Sequence, residues 1–263
     1  MQPLLEVEGL KKTYPGFQLN GVSFSIYEDC ITGFIGANGA GKTTTIRSIL
    51  HLISHEAGTI KFKGKDISKT EKSFKDSIGV VFDEGFFYDE LTLTQMKNLI
   101  ASSYSHWDNG AYTHYLDAFS LRPDQTISSL SRGMKMKFSL ALALSHHAEL
   151  LIMDEPTSGL DPLVRKQFIE ILKEFMDQGG KAIFYSTHNT SDLDKAADML
   201  VMIDNGKILF EEDKDMLLET HRLVKGKGLL PAETKKLFLK VRKTLESQNI
   251  KYVDISSVIM GTL

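Results

Sequence analysis

The sequence predicts an α/β fold in which a mostly parallel sheet carries helices on both faces. Three observations carry that expectation. Short apolar runs alternate with amphipathic stretches through the first 220 residues. One of the runs, Ile31–Ile35, opens into a glycine-rich loop and then a helical pattern. Another, Leu150–Met153, ends in two adjacent carboxylates, Asp154 and Glu155. Parallel strands read as continuous apolar runs because both of their faces are covered.

Along the chain, Leu4–Val7, Gly21–Ile26 and Thr59–Lys63 read as short strands, with Asn20-Gly21 as a turn. Ile31–Ile35 is a buried strand, and a helix follows over Gly41–Ile53, where Ile46, Ile49, Leu50 and Ile53 share one face. Ile78–Phe82 is a further buried strand. A helical region comes next, in which Tyr112, Tyr115, Leu116 and Phe119 fit one face. Phe168, Ile171, Leu172 and Phe175 mark the helix after Leu150–Met153. Ala182–Ser186 and Leu200–Ile203 complete the strands, and Asp204-Asn205-Gly206-Lys207 reads as a hairpin turn.

Composition removes several classes. A chain of 263 residues is long enough to bury its own core without staples. Its one cysteine, Cys30, cannot form an intrachain disulfide or a cysteine-pair zinc site. Net charge is −3, which gives no argument for a nucleic-acid partner. No basic n-region leads into an apolar stretch near Met1, and no run is long enough to span a bilayer, so the chain reads as cytoplasmic. Charge is unevenly spread. Residues 221–263 hold nine Lys or Arg against three acids, net +6, leaving −9 for the rest. The break falls near a linker-like Lys225-Gly226-Lys227-Gly228. The basic face of that extension suits solvent, anionic lipid head groups or a contact between subunits.

Gly36-Ala37-Asn38-Gly39-Ala40-Gly41-Lys42-Thr43 has the GxxxxGK[ST] spacing of a phosphate-binding loop, set between a strand and a helix. Glycines let successive N–H groups turn inward around phosphates, and the helix N-terminus adds positive potential there. Lys42 can reach the β- and γ-phosphates, and the Thr43 hydroxyl can bind Mg²⁺. Asp154, at the end of a buried strand, stands where such sites hold their metal, and Glu155 is placed to orient or deprotonate a water. His188 follows another strand end. The other seven histidines have no such context.

These residues, with Leu130-Ser131-Arg132-Gly133-Met134 before a helix at Lys135–Ser145 and Ser158-Gly159-Leu160-Asp161 after the acid pair, resemble the ATP-binding subunit of ABC transporters over residues 4–215. The resemblance implies a RecA-like P-loop NTPase core with an N-terminal antiparallel β subdomain and an inserted α-helical subdomain at about 86–133. The nucleotide-binding domain would occupy 1–220 and the basic extension 221–263. It implies ATP and Mg²⁺ as cofactors. Asn38, Gly39, Ala40, Gly41, Lys42, Thr43 and Thr44 would hold the phosphates. Thr43 and Asp154 would hold the metal, Glu155 would act on water, and His188 would contact the γ-phosphate. Tyr14 would stack on adenine, or be an ordinary strand-end tyrosine. Ser131 and Gly133 would reach the ATP of a second, head-to-tail subunit, in a homodimer or a paired heterodimer. A separate membrane permease would hold the chain at the cytoplasmic face of the plasma membrane.

Three positions depart from the family pattern, one of them Met134, which stands where the signature usually has Gln. Asp83, followed by Glu84, stands where the family usually has Gln, and could still act in catalysis and on the metal or its water. Arg132 replaces a signature glycine; it could face the opposite ATP or point to solvent. Together with the aromatic cluster Phe86-Phe87-Tyr88, these features look most like bacterial subunits that export peptides or antibiotics. The aromatics suit either a buried patch or a groove floor for the permease. A non-transport ABC ATPase, regulatory or translation-associated, is the alternative.

Overall fold

The computed structural model describes residues 2–83, 86–188 and 190–220. The basic extension over 221–263, its linker, and Glu84 lie outside the described residues. The N-terminal residues make a sheet of their own. Strands β1 (Pro3–Tyr14) and β2 (Phe17–Tyr27) form a hairpin with Tyr14 opposite Phe17. After β3 (Cys30–Ile35), which belongs elsewhere, β4 (Ala57–Phe62) pairs with the other edge of β1, and the short β5 (Lys65–Asp66) completes the order β2-β1-β4-β5. β1 is longer than the apolar run Leu4–Val7 suggests. Its buried Leu5, Val7 and Leu10 are separated by outward-facing polar residues and a register shift between Val7 and Leu10, which break strict alternation.

The second sheet has the order β10-β9-β3-β8-β7-β6. Its strands are β6 (Ile78–Phe82), β7 (Leu150–Asp154), β8 (Ala182–Thr187), β9 (Met199–Asp204) and β10 (Lys207–Asp213). All pairings are parallel except the β9–β10 hairpin. Every residue of β7 and β8 is buried, as the uninterrupted apolar runs lead one to expect.

Helix α1 (Lys42–Ile49) follows β3, and α2 (Glu71–Ser77) precedes β6. Between β6 and β7 run α3 (Leu93–Ala101), α4 (Asn109–Ala118) and α5 (Arg132–Leu144). Helices α6 (Pro162–Met176), α7 (Thr190–Ala196) and α8 (Lys214–Thr220) complete the set. α1 is shorter than its apolar periodicity implies: His51 takes φ 54, the left-handed conformation that stops a helix, and Ile53 falls outside it. The antiparallel sheet and α1 cover one face of the parallel sheet, where Phe24, Phe34 and Phe184 pack with ring centroids 5.1–5.5 Å apart. Helices α3–α7 cover the other, around Phe138, Phe168 and Tyr185. Among the described residues no helix is long and apolar enough to cross a membrane.

Candidate active site

Strand register brings the expected site residues to one edge. Phe82 lies opposite Asp154, Asp154 opposite Ser186, and Ile35 opposite Thr187. The segments that follow β3, β7, β8 and β6 therefore emerge side by side at the carboxyl ends of the strands, where open parallel sheets place ligands.

The loop after β3 closes onto α1 through Gly41, at φ 117. A side chain there would run into Leu19, Phe17 and Ile203, so only glycine fits. No side chain caps α1 and its first turn holds no acid, which leaves its N-terminus open to an anion. Lys42 is buried, yet its ammonium is well supplied. It donates to Gly36 O at 2.7 Å and Ala37 O at 3.3 Å, and pairs with Glu155 Oε1 at 3.1 Å. Thr43 and Thr44 sit half-buried in the first turn, while Asn38 and Gly39 are exposed and Ala40 is buried.

Glu155 links the two halves of the site. Its Oε2 receives the His188 backbone N–H at 3.2 Å and lies 2.7 Å from His188 Nδ1, while its other oxygen faces Lys42. The residue has φ 49, so the backbone reverses as β7 ends and the carboxylate turns back toward the phosphate loop. Buried Asp154 accepts a hydrogen bond from Ser186 Oγ at 2.6 Å, and Ser186 Oγ in turn accepts the Glu155 N–H at 3.1 Å. Ser186 thus fixes both acids. Sequence reading missed it, although a serine at the end of an apolar strand, next to Thr187, was a usable signal.

A second missed group sits just behind. Thr157 Oγ1 is 2.7 Å from the Tyr185 hydroxyl and donates to Asp192 Oδ2 at 2.8 Å; Tyr185 also reaches that oxygen at 3.2 Å. Burial first, and the Asp192 carboxylate second, push the Tyr185 phenol well above its usual range. The cluster ties the turn after Glu155 to α7, which follows His188.

The signature segment is arranged differently. Ser131 is the exposed N-cap of α5, accepting the Met134 N–H at 3.3 Å, and Asp161 caps α6 in the same way. Among the described contacts no hydrogen bond joins Ser131 or Gly133 to the chain's own phosphate loop. Arg132 is exposed, and its guanidinium also pairs with Asp83 of the same chain. Asp83 follows β6 at the ligand edge as expected, but its recorded partner is Arg132. Tyr14 is 40% exposed, with Lys12 Nζ 5.3 Å from its ring centre, and its hairpin partner Phe17 packs beside Gly41.

The aromatic cluster divides. Phe87 packs on Phe138 in the core at 5.1 Å, whereas Phe86 and Tyr88 are 70% and 64% exposed. Near Phe86, which contacts Phe82 edge-on, runs a groove of about 670 Å³ between the end of α1, α2, β6 and Tyr104.

An uncapped helix N-terminus behind a glycine loop, a buried lysine, an acid pair and a histidine on successive strand ends define a P-loop nucleotide hydrolase. Comparison with known proteins narrows this. Residues 19–158 match the ABC transporter family, and the chain belongs to it. It is 32% identical over 225 residues to the bacitracin transport ATP-binding protein BcrA of Bacillus licheniformis, covering 84% of this chain and 74% of that protein. It is 31% identical over 238 residues to the Nod factor export ATP-binding protein I of Ralstonia nicotianae, covering 84% and 70%. A solved ATP-binding subunit of an ABC transporter, 29% identical, superposes with a TM-score of 0.74 over 81% of this chain and 91% of its own. The chain is an ATP-binding, ATP-hydrolysing subunit of an ABC transporter.

Proposed function

We propose that the chain powers export of an amphipathic, peptide- or antibiotic-like molecule through a separate membrane permease, with ATP hydrolysed between two ATPase subunits. The observation that carries the chemistry is the unbroken line Lys42–Glu155–His188. The direction and cargo class rest on the transport and export proteins that the chain resembles.

In this reading the loop 36–41, the first-turn N–H groups of α1, Lys42, Thr43 and Thr44 hold the phosphates. Lys42 exchanges its carbonyl and carboxylate partners for phosphate oxygens. Glu155, released from Lys42, takes a proton from the attacking water, and His188 holds the γ-phosphate edge. Asp154 and the Thr43 hydroxyl are hard oxygen donors at adjacent strand and helix ends, which fits Mg²⁺. When bound, that ion would neutralise phosphate charge. Asp83, expected among the catalytic and metal residues, has its support elsewhere, on Arg132. Tyr14 offers a ring for adenine. Ser131 and Gly133 complete the site of a second subunit, which makes hydrolysis depend on closure. The groove beside Phe86, with exposed Leu52 in its lining, suits an amphipathic segment of the permease, which would keep the chain at the membrane's cytoplasmic face.

Replacing Glu155 by Gln tests the central claim. ATP binding should persist, turnover should fall by a factor on the order of 100 or more, and an ATP-loaded dimer should accumulate. Undiminished hydrolysis by that variant would sink the assignment.

A further inference from the structure

Arg132 lies where three loops meet. Its guanidinium pairs with Asp83, directly after β6. The same group fills the space that a side chain at Gly159, φ 67, would need. One turn further along α5, Lys135 Nζ pairs with Asp89 at 2.8 Å, and Phe138 packs on Phe87 at 5.1 Å. One face of α5 thus holds Asp83, Phe87 and Asp89 through two ion pairs and one ring contact. The Arg132 and Asp83 side chains are 49% and 35% exposed, so the pair adds little to global stability. Its value is positional. It holds Asp83, next to the groove-lining Phe82, to the start of α5 and packs beside Gly159, close to the segments expected to face a second subunit. Two of the family departures, acid for Gln at 83 and Arg for Gly at 132, are then one feature: each supplies the charge that the other needs.

We propose that Arg132 is a positioning residue that clasps Asp83 and Gly159 to the start of α5, so that the three loops move together, and that the Asp83 carboxylate serves this clasp rather than a metal ion. Movement of Asp83 or of residues 86–89 against a partner is thereby passed to Ser131 and Gly133. The inference rests on the shared-site reading above.

The test uses the full chain as Arg132→Ala, Asp83→Ala, the double alanine variant, the reversal Asp83→Arg with Arg132→Asp, and Arg132→Lys. Two readouts apply: kcat and KM for ATP with Mg²⁺ titration, and ATP-driven dimerisation of each variant in the Glu155→Gln background. Each alanine variant should lower kcat and weaken dimerisation about fivefold, with KM for ATP within about twofold. The double alanine variant should be no worse than either single one, the reversal should recover at least half, and Arg132→Lys should lose less than Arg132→Ala. Additive losses, or no loss in either readout, would overturn the clasp. A raised Mg²⁺ requirement in Asp83→Ala but not in Arg132→Ala would return Asp83 to the metal. Calorimetric ATP binding by the unaltered chain separates these outcomes from failure of the phosphate site itself.

Discussion

Helices α1 and α5 both start at the ligand edge with a cation in the first turn, and they are built in opposite ways. α1 has no side-chain cap, and Lys42 beside it is 5% exposed, held by two carbonyls and Glu155. α5 is capped by its own Ser131, and Arg132 is half-exposed on Asp83. A buried ammonium costs several kcal/mol unless it is paired, so the α1 end keeps its cation with temporary partners until phosphate replaces them. The α5 end is already satisfied. Ser131 already spends an acceptor lone pair on Met134 N–H and keeps its O–H to donate, so that end can hand a hydrogen bond to a phosphate brought by a partner. One end receives, the other presents.

The Glu155→Gln loss of turnover is the largest effect expected of this contrast, since it removes the group that links the receiving end to the water. Next comes Lys42→Ala. Taking the main cation from the uncapped helix should weaken ATP binding itself by a factor on the order of 10–100; calorimetry giving an unchanged affinity would make α1 no more receptive than α5. The presenting end is sharpened by mixing subunits. A Ser131→Arg chain should bind ATP at its own Lys42 and Thr43 but fail to close a dimer. Paired with a Lys42→Ala chain, it leaves one composite site whole. The mixture should regain part of the activity that both parents lack, or trap one ATP per dimer if both sites must fill; neither result, in demonstrated mixed dimers, argues against a site in trans. The smallest effect belongs to the aromatics. Phe87→Ala should lower the melting temperature and all activity alike, because half-buried Phe87 packs against the core at Phe138. Phe86→Ala with Tyr88→Ala should spare basal ATPase and reduce permease stimulation two- to threefold, a modest change for exposed contacts (about 0.5 kcal/mol). Equal losses of basal and stimulated rates in the exposed pair would remove the permease from that surface.

The receiving end was legible in the sequence because its parts are local. Gly36 to Thr43 is one strand–loop–helix unit, and Asp154–Glu155 and His188 each sit at the end of one apolar run. Parallel register then brings those ends together without further instruction. What stayed hidden depends on separation along the chain. Nothing local to Asp83 announces Arg132, and nothing local to Phe87 says that Phe138 covers it while Phe86 stays outside. Lys42 was expected on phosphate; its present hold on Glu155 depends on the positive φ of Glu155, which residue type does not advertise. The lengths of β1 and α1 were misjudged for backbone reasons, a register shift in one and the left-handed His51 in the other. The boundaries of the helical insertion and the basic extension remain expectations from charge and family pattern.

The rings of Phe24, Phe34 and Phe184 join the two sheets face to face, and that contact sets a length. Tyr14 belongs to the antiparallel sheet, the phosphate loop to the parallel one, and Phe17 wedges the hairpin against Gly41. If adenine rests on Tyr14, as proposed, the span from base to terminal phosphate is gauged by that aromatic core. The molecule then works as a caliper whose jaws are opened by core volume. Trimming Phe34 would alter which nucleotides are accepted before it altered how fast they are cleaved.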